Sequence, residues 1–209
     1  MAEQEGVIKF DLDWHPGPPA TGVDTGIDPA PLDRWRARLM AAGLVGQDPA
    51  RYDGYGFGNL SMRVAAGFVI TGTQTGALAA LSAEHYALVT AWDVAANRIV
   101  ARGPVKPSSE ALTHATLYGL DPDIGFVFHG HGPTLWTARD RLGLPATAAD
   151  VPYGTPAMAR AVARLFKDTA VADTRVFAMA GHEDGIVSFG RTADQAGRAL
   201  LDALEAVAA

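Results

Sequence analysis

Cysteine is absent from this 209-residue chain, which excludes disulfides and every thiolate-bound metal centre. Any metal must therefore rest on histidine and carboxylate. No stretch approaches the roughly 20 apolar residues of a membrane-spanning helix, and the acidic residues 1–5 lead into no long apolar run. The expectation is a cytoplasmic protein without a secretory signal. Basic runs are missing too. A net charge of −6 and a pI of about 5.4 offer nothing for nucleic acid or an anionic membrane surface. There is no Gly-Lys-Ser/Thr phosphate loop, no internal repeat and no linker. What remains is a chain 48% hydrophobic, long enough for one domain with a sizeable core.

Prolines concentrate early. Pro16, Pro18, Pro19 and Pro29 suggest an irregular, surface-wrapping arm over residues 1–30, with the domain proper over 31–209. Apolar spacing predicts helices over 32–44, 81–90, 108–118, 133–139, 156–166 and 193–207. Strands are expected over 60–64, 67–71, 126–128, 176–179 and 186–189, the last two as an antiparallel pair. Helices and strands mix without a βαβ rhythm, which points to one α/β domain.

The most informative segment is His129-Gly130-His131, closing the apolar run Ile124-Gly125-Phe126-Val127-Phe128. On an extended backbone, residues i and i+2 point to the same face. Two imidazoles then stand side by side, with a glycine between them that adds no bulk. A divalent metal wants such nitrogen donors at about 2.0–2.1 Å, and three protein ligands plus an open position make a catalytic site. His182 lies in a turn between Gly181 and Gly185, where it is either a third ligand or an ordinary turn residue. His15, His85 and His114 suit structural or solvated positions.

Glu110 follows Ser108 and Ser109 at a predicted helix start. Ser108 as N-cap with an acid nearby is ordinary helix-start chemistry. A general acid/base next to a metal would use the same residue. The two hydroxyls and exposed amides also suit an anion. So do Gly58-Asn59-Leu60-Ser61 and the turn Thr71-Gly72-Thr73-Gln74-Thr75-Gly76. Glu183 and Asp184 are either solvated or partners of a ligand.

Together these pieces resemble the class II aldolase/adducin family from about residue 31 onward. The resemblance rests on Gly58-Asn59-Leu60-Ser61, Ile70-Thr71-Gly72, Lys106-Pro107-Ser108-Ser109-Glu110 with His114 and Tyr118, and His129-Gly130-His131. It continues through Tyr153-Gly154-Thr155-Pro156, Gly181-His182 and Phe189-Gly190. It implies a three-layer α/β/α domain with a central, mostly antiparallel sheet, assembled as a homotetramer. It further implies a divalent metal, Zn2+ first and Mn2+, Co2+ or Fe2+ after it, on His129, His131 and His182. Glu110 would be the catalytic carboxylate. Asn59, Thr75, Gly76, Ser108 and Ser109 would hold a substrate phosphate. Tyr153 and Glu183 are candidates for a second base or for support behind the ligands. Two departures stand out: the Thr71–Gly76 turn is one residue longer than usual and carries Gln74, and Glu183-Asp184 precede Gly185 where the family has glycine directly.

The expected activity is that of a metal-dependent, aldolase-type lyase in carbohydrate metabolism. It would cleave or form a C–C bond in a small hydroxy-carbonyl sugar or sugar phosphate through a stabilised enediolate. Dehydration or epimerisation on the same site is the alternative, followed by a non-catalytic adducin-like scaffold. An iron oxygenase would want a carboxylate as third ligand.

Overall fold

The computed structural model describes residues 6–208; the acidic start, residues 1–5, lies outside them. Eight strands form one sheet. They are β1 (Asp11–Pro16), β4 (Asn59–Val64), β5 (Gly67–Thr71), β6 (Tyr86–Asp93), β7 (Arg98–Gly103), β8 (Phe126–His131), β9 (Val176–Ala178) and β10 (Gly185–Gly190). Two further short strands, β2 (Gly46–Gln47) and β3 (Gly56–Phe57), pair with each other. The order across the large sheet is β1-β7-β6-β5-β4-β8-β10-β9. Only β1 against β7 runs parallel, so the sheet is mostly antiparallel as the resemblance implies.

Six helices cover its faces: α1 (Ala30–Ala41), α2 (Ala111–Leu120), α3 (Pro133–Ala138), α4 (Pro156–Asp168), α5 (Val171–Thr174) and α6 (Ala193–Glu205). The period-2 alternation of strands sorts the core into two layers. Phe68, Ile70, Val127 and Val187 pack with Leu112, Met158, Val162 and Val171, which puts α2, α4 and α5 on one face. Val69, Phe128 and Ile186 pack with Leu32, Trp35, Leu135 and Leu200, which puts α1, α3 and α6 on the other. The result is a single α/β domain with three layers, helices either side of one sheet.

Three expectations need correction. Residues 81–90 are not a helix: a short 3₁₀ turn, Ala83–His85, leads into β6. Tyr86 to Val89 are buried throughout, between β5 and β7. An interior strand covered on both faces shows no alternation, and its apolar run reads like a buried helix. The proline-rich arm is not wholly irregular either, because Asp11–Pro16 enters the sheet edge as β1. Ile8, Phe10, Leu12 and Trp14 alternate along it, and all four pack into the α2/α4 layer. Third, Ser108 is not the N-cap of α2; Glu110 holds that position. Ser108 instead accepts the Glu110 N–H at 3.3 Å through its hydroxyl. The sequence reading also offers no element for β7, whose buried Ile99 and Ala101 belong to the same core layer.

Candidate active site

Strand β8 lies between β4 and β10, and its odd-numbered residues face the α2/α4 layer. That places His129 and His131 on the face where α2 begins. Both rings are fully buried. Their Nε2 atoms stand 3.1 Å apart, near the roughly 3.3 Å that two nitrogens hold on a tetrahedral ion with bonds of about 2.0–2.1 Å. His129 Nδ1 lies 3.1 Å from the carbonyl of Ile186. A carbonyl only accepts, so Nδ1 carries the proton and Nε2 keeps its lone pair for a metal.

His182 reaches the pair from the β9–β10 turn. Its N–H donates to Met179 O, and its own carbonyl receives the Gly185 N–H, both at 3.0 Å. The two flanking glycines serve close approach here and do not supply unusual dihedrals. A Cβ on Gly181 would sit 2.1 Å from the Val151 carbonyl oxygen, and one on Gly185 would sit 2.7 Å from the His182 ring. The His182 ring stacks on His129 at 5.3 Å and meets His131 edge-on at 4.8 Å. One ligand atom from each of the three histidines lies within 4.8 Å of the other two. Among the described residues this is the sole cluster of that kind.

Electrostatics favour ligation. Burial holds His129 down to about 4, with its bond to Ile186 opposing in part. Burial first, then neighbouring positive charge, holds His131 and His182 well below the ordinary histidine value. The rings are therefore neutral, which is the form that binds metal. The donor set, three neutral imidazoles, fits a divalent ion. The three histidines can hold a metal.

Glu110 is 1% exposed, and its Oε1 lies 3.8 Å from His182 Nε2. Thr113 donates its hydroxyl to the other carboxylate oxygen at 3.0 Å. The carboxylate is thus aimed at the histidine cluster from the start of α2. Asn59, Thr75, Gly76, Ser108 and Ser109 come together around one small cavity beside it. From behind, buried Arg36 donates to the carbonyls of Thr75 at 2.9 Å and Gly76 at 3.3 Å. A trans peptide points its N–H opposite its C=O, so the amides that follow face away from the arginine.

Tyr153 is buried, with its ring 4.4 Å from that of His182. Glu183 does not join the cluster. It is exposed and precedes Asp184, which has a left-handed φ of 62°. Asp184 instead accepts the Tyr52 hydroxyl at 2.6 Å, while Arg51 donates to the same hydroxyl at 2.7 Å. Tyr52 packs edge-on against His131 at 4.7 Å and so braces that ring. Burial, then the bond to Asp184, raises the Tyr52 hydroxyl far above its ordinary value, so it stays protonated. His114 is buried on α2 and lies 2.7 Å from Ser61 Oγ. His85 and His15 bond near neighbours, Ser82 and Asp13.

The model of the Class II Aldolase and Adducin N-terminal domain matches residues 48–209. The chain belongs to this family. Among solved structures, L-fuculose-1-phosphate aldolase from Thermus thermophilus is 19% identical, with 86% of this chain and 90% of that one covered and a TM-score of 0.62. The sugar-phosphate aldolase from Thermotoga maritima is 15% identical, with 85% and 91% covered and a TM-score of 0.62. YgbL from Klebsiella pneumoniae is 20% identical, with 84% of each chain covered and a TM-score of 0.61. At such identities these likenesses speak for a shared fold. Comparison with the curated proteins gives no match.

Sequence reasoning missed two residues of this class II aldolase/adducin site. Tyr52 braces His131 across a loop, and nothing local announces it. Lys9 stands with its ammonium 3.5 Å over the centre of the Tyr153 ring, close enough to Glu110 and His182 to act on both. The alternation of Ile8, Phe10, Leu12 and Trp14 is the available signal that this segment is fixed. A larger cavity, about 750 Å3 between the proline-rich arm and the sheet, gathers no histidine and no cluster of acids. It is not where the chemistry converges. No helix among the described residues is long and apolar enough to cross a membrane.

Proposed function

We propose that this chain is a metal-dependent lyase of the aldolase type, acting on a small hydroxy-carbonyl compound of the sugar or sugar-phosphate class. The observation that carries this is one buried constellation: three neutral histidines within ligand distance, and Glu110 aimed at them from 3.8 Å. When bound on His129, His131 and His182, a divalent ion, zinc first, supplies Lewis-acid polarisation of a substrate carbonyl and its neighbouring hydroxyl.

The chain's own residues do the rest. In the condensation direction Glu110 takes the proton from the carbon next to the polarised carbonyl, freeing that carbon to bond the aldehyde partner, and in cleavage it returns a proton to the same carbon after the C–C bond has broken. Thr113 holds one carboxylate oxygen and leaves the other facing the histidines. Burial excludes water, which strengthens each charge interaction in the site. Tyr153, whose ring lies against His182, is the candidate for the proton on the distal hydroxyl. The same proton step would also serve dehydration or epimerisation. The family membership and the likeness to sugar-phosphate aldolases support the aldol reading, and a homotetramer is part of the same proposal.

Zinc-loaded protein should exchange the α-proton of glycolaldehyde or dihydroxyacetone phosphate for deuterium in heavy water, followed by NMR. Exchange that vanishes in Glu110→Gln, with zinc retained, supports the assignment. Protein that purifies without stoichiometric metal, and gains none on loading, would favour a non-catalytic scaffold instead.

A further inference from the structure

Two of the three histidines come from separate elements, His131 from the end of β8 and His182 from the β9–β10 turn. One chain of side chains joins these elements from outside the cluster. Arg51 donates to the Tyr52 hydroxyl at 2.7 Å, and that hydroxyl donates to Asp184 Oδ2 at 2.6 Å, across 132 residues of chain. The arginine can only donate and the carboxylate can only accept, so the hydroxyl proton has one place and each bond is charge-assisted. The Tyr52 ring meets the His131 ring edge-on at 4.7 Å. Phe57 lies 5.6 Å from the same imidazole and 5.2 Å from Tyr52, with the Arg51 guanidinium 4.4 Å over its centre. Asp184 follows His182 by two residues, and its carbonyl receives the Gly132 N–H, just past His131, at 2.9 Å.

The backbone on both sides of this bond is unusual. Asp184 has a φ of 62°, and Tyr52 and Asp53 have φ of 50° and 54°. Bulky L-residues rarely occupy this left-handed region. Glycine would hold the turn at 184 with less strain, so the turn by itself does not call for an aspartate. Strained residues persist where surrounding contacts over-determine them, and here the contact is the bond between the two strained residues. Both are half-buried, where a hydrogen bond competes less with water.

We infer that Tyr52 and Asp184 are positioning residues for the metal. Neither belongs to the ligand cluster. Their bond pins the Tyr52 ring, and through it the His131 imidazole, against the turn that carries His182. Two ligands far apart in the chain are thereby held in mutual register before an ion arrives. This rests on the metal-lyase reading of the same histidines.

The test uses zinc and cobalt dissociation constants, measured by chelator competition on the full chain. Urea midpoints of the apo-proteins and the visible spectrum of the cobalt form, which reports ligand geometry, accompany them. Tyr52→Phe keeps the ring and removes the hydroxyl. Asp184→Gly suits the positive φ and removes the acceptor, whereas Asp184→Asn tolerates that φ and keeps an acceptor. Tyr52→Phe and Asp184→Gly should each bind both metals about 10–100-fold more weakly, the usual effect of losing a group that orients a ligand. Their cobalt bands should shift, while their apo-protein midpoints stay close to that of the natural chain. Asp184→Asn should keep most of the affinity. Because the two residues act through one bond, Tyr52→Phe combined with Asp184→Gly should bind within a few-fold of either alone. Natural affinity in Tyr52→Phe would overturn the inference, and so would losses that multiply in the double variant. A loss that tracks a fall in the urea midpoint, with unshifted cobalt bands, would overturn it too, as the mark of a merely structural pair. A natural chain that takes up neither metal would overturn the metal reading and this inference with it, and that result is seen before any variant is compared.

Discussion

Strand β8 has two faces with different duties. Val127, His129 and His131 look toward α2, and the two histidines are proposed metal ligands. Phe126, Phe128 and Gly130 look toward α1 and α6 and carry packing. The backbone is common to both, so a displacement on one face moves the other. Side chains on the packing face are apolar and replaceable by similar volume, whereas those on the metal face must present a donor atom to within tenths of an ångström. The precision of the metal face therefore depends on where the packing face holds the shared backbone, and not on each packing side chain.

The largest effect should come from the metal face itself. His131→Ala removes a ligand outright. Its metal affinity should fall by more than the 10–100-fold that losing a supporting partner typically costs. Elemental analysis after dialysis should then find zinc near zero, against the one per chain expected for the natural sequence. Retention of full metal would mean that the cluster is only a hydrogen-bonded core. Glu110→Gln comes next. It should keep zinc and lose about 10²–10⁴-fold in α-proton exchange, the usual worth of a positioned proton-transfer group. Exchange at the natural rate would remove Glu110 from the mechanism.

Phe128→Ala attacks the opposite face. The ring is fully buried between Trp35 and Phe126, and truncation of this kind costs about 3–5 kcal/mol. Urea denaturation should show that loss in the apo-protein. The protein that remains folded should bind zinc within a few-fold of the natural chain. If Phe128→Ala instead loses zinc as completely as His131→Ala, the two faces are not separable.

Much of this is legible in the sequence, for reasons that are local. A strand ending in His-Gly-His announces its geometry because side-chain direction has a period of two. The β9–β10 pair around His182 is legible for the same reason. Long-range placement is not. Lys9 reaches Glu110 and Tyr153 only because β1 joins the sheet edge, and four prolines mask the alternation of Ile8, Phe10, Leu12 and Trp14. The β6 run reads as a helix because a strand buried on both faces has no polar residue to mark its period. Tyr52 braces His131 through a left-handed turn at Tyr52 and Asp53, and neither residue type signals that conformation strongly.

Gly130→Ala is the smallest change and the sharpest test, because it adds one methyl to the packing face and is read on the metal face. A Cβ there would lie 3.0 Å from the Leu44 carbonyl oxygen, 3.3 Å from Leu44 Cβ and 3.4 Å from Leu200 Cδ2. The Leu44 carbonyl is also what receives the His131 N–H, at 2.8 Å. It can approach that closely because residue 130 has no side chain. A methyl group must either push Leu44 away, weakening the bond that fixes His131, or push β8 toward α2. Overpacking of this size costs about 1–3 kcal/mol, visible as a lower denaturation midpoint. Either movement also shifts two of the three ligands relative to His182, which hangs on a different turn. Zinc affinity should therefore fall by about tenfold, beyond what the stability loss alone accounts for. A variant that is destabilised yet binds zinc as tightly as the natural chain would show that the histidines adjust independently of the packing behind them. The metal face would then owe its geometry to the ion and not to the sheet.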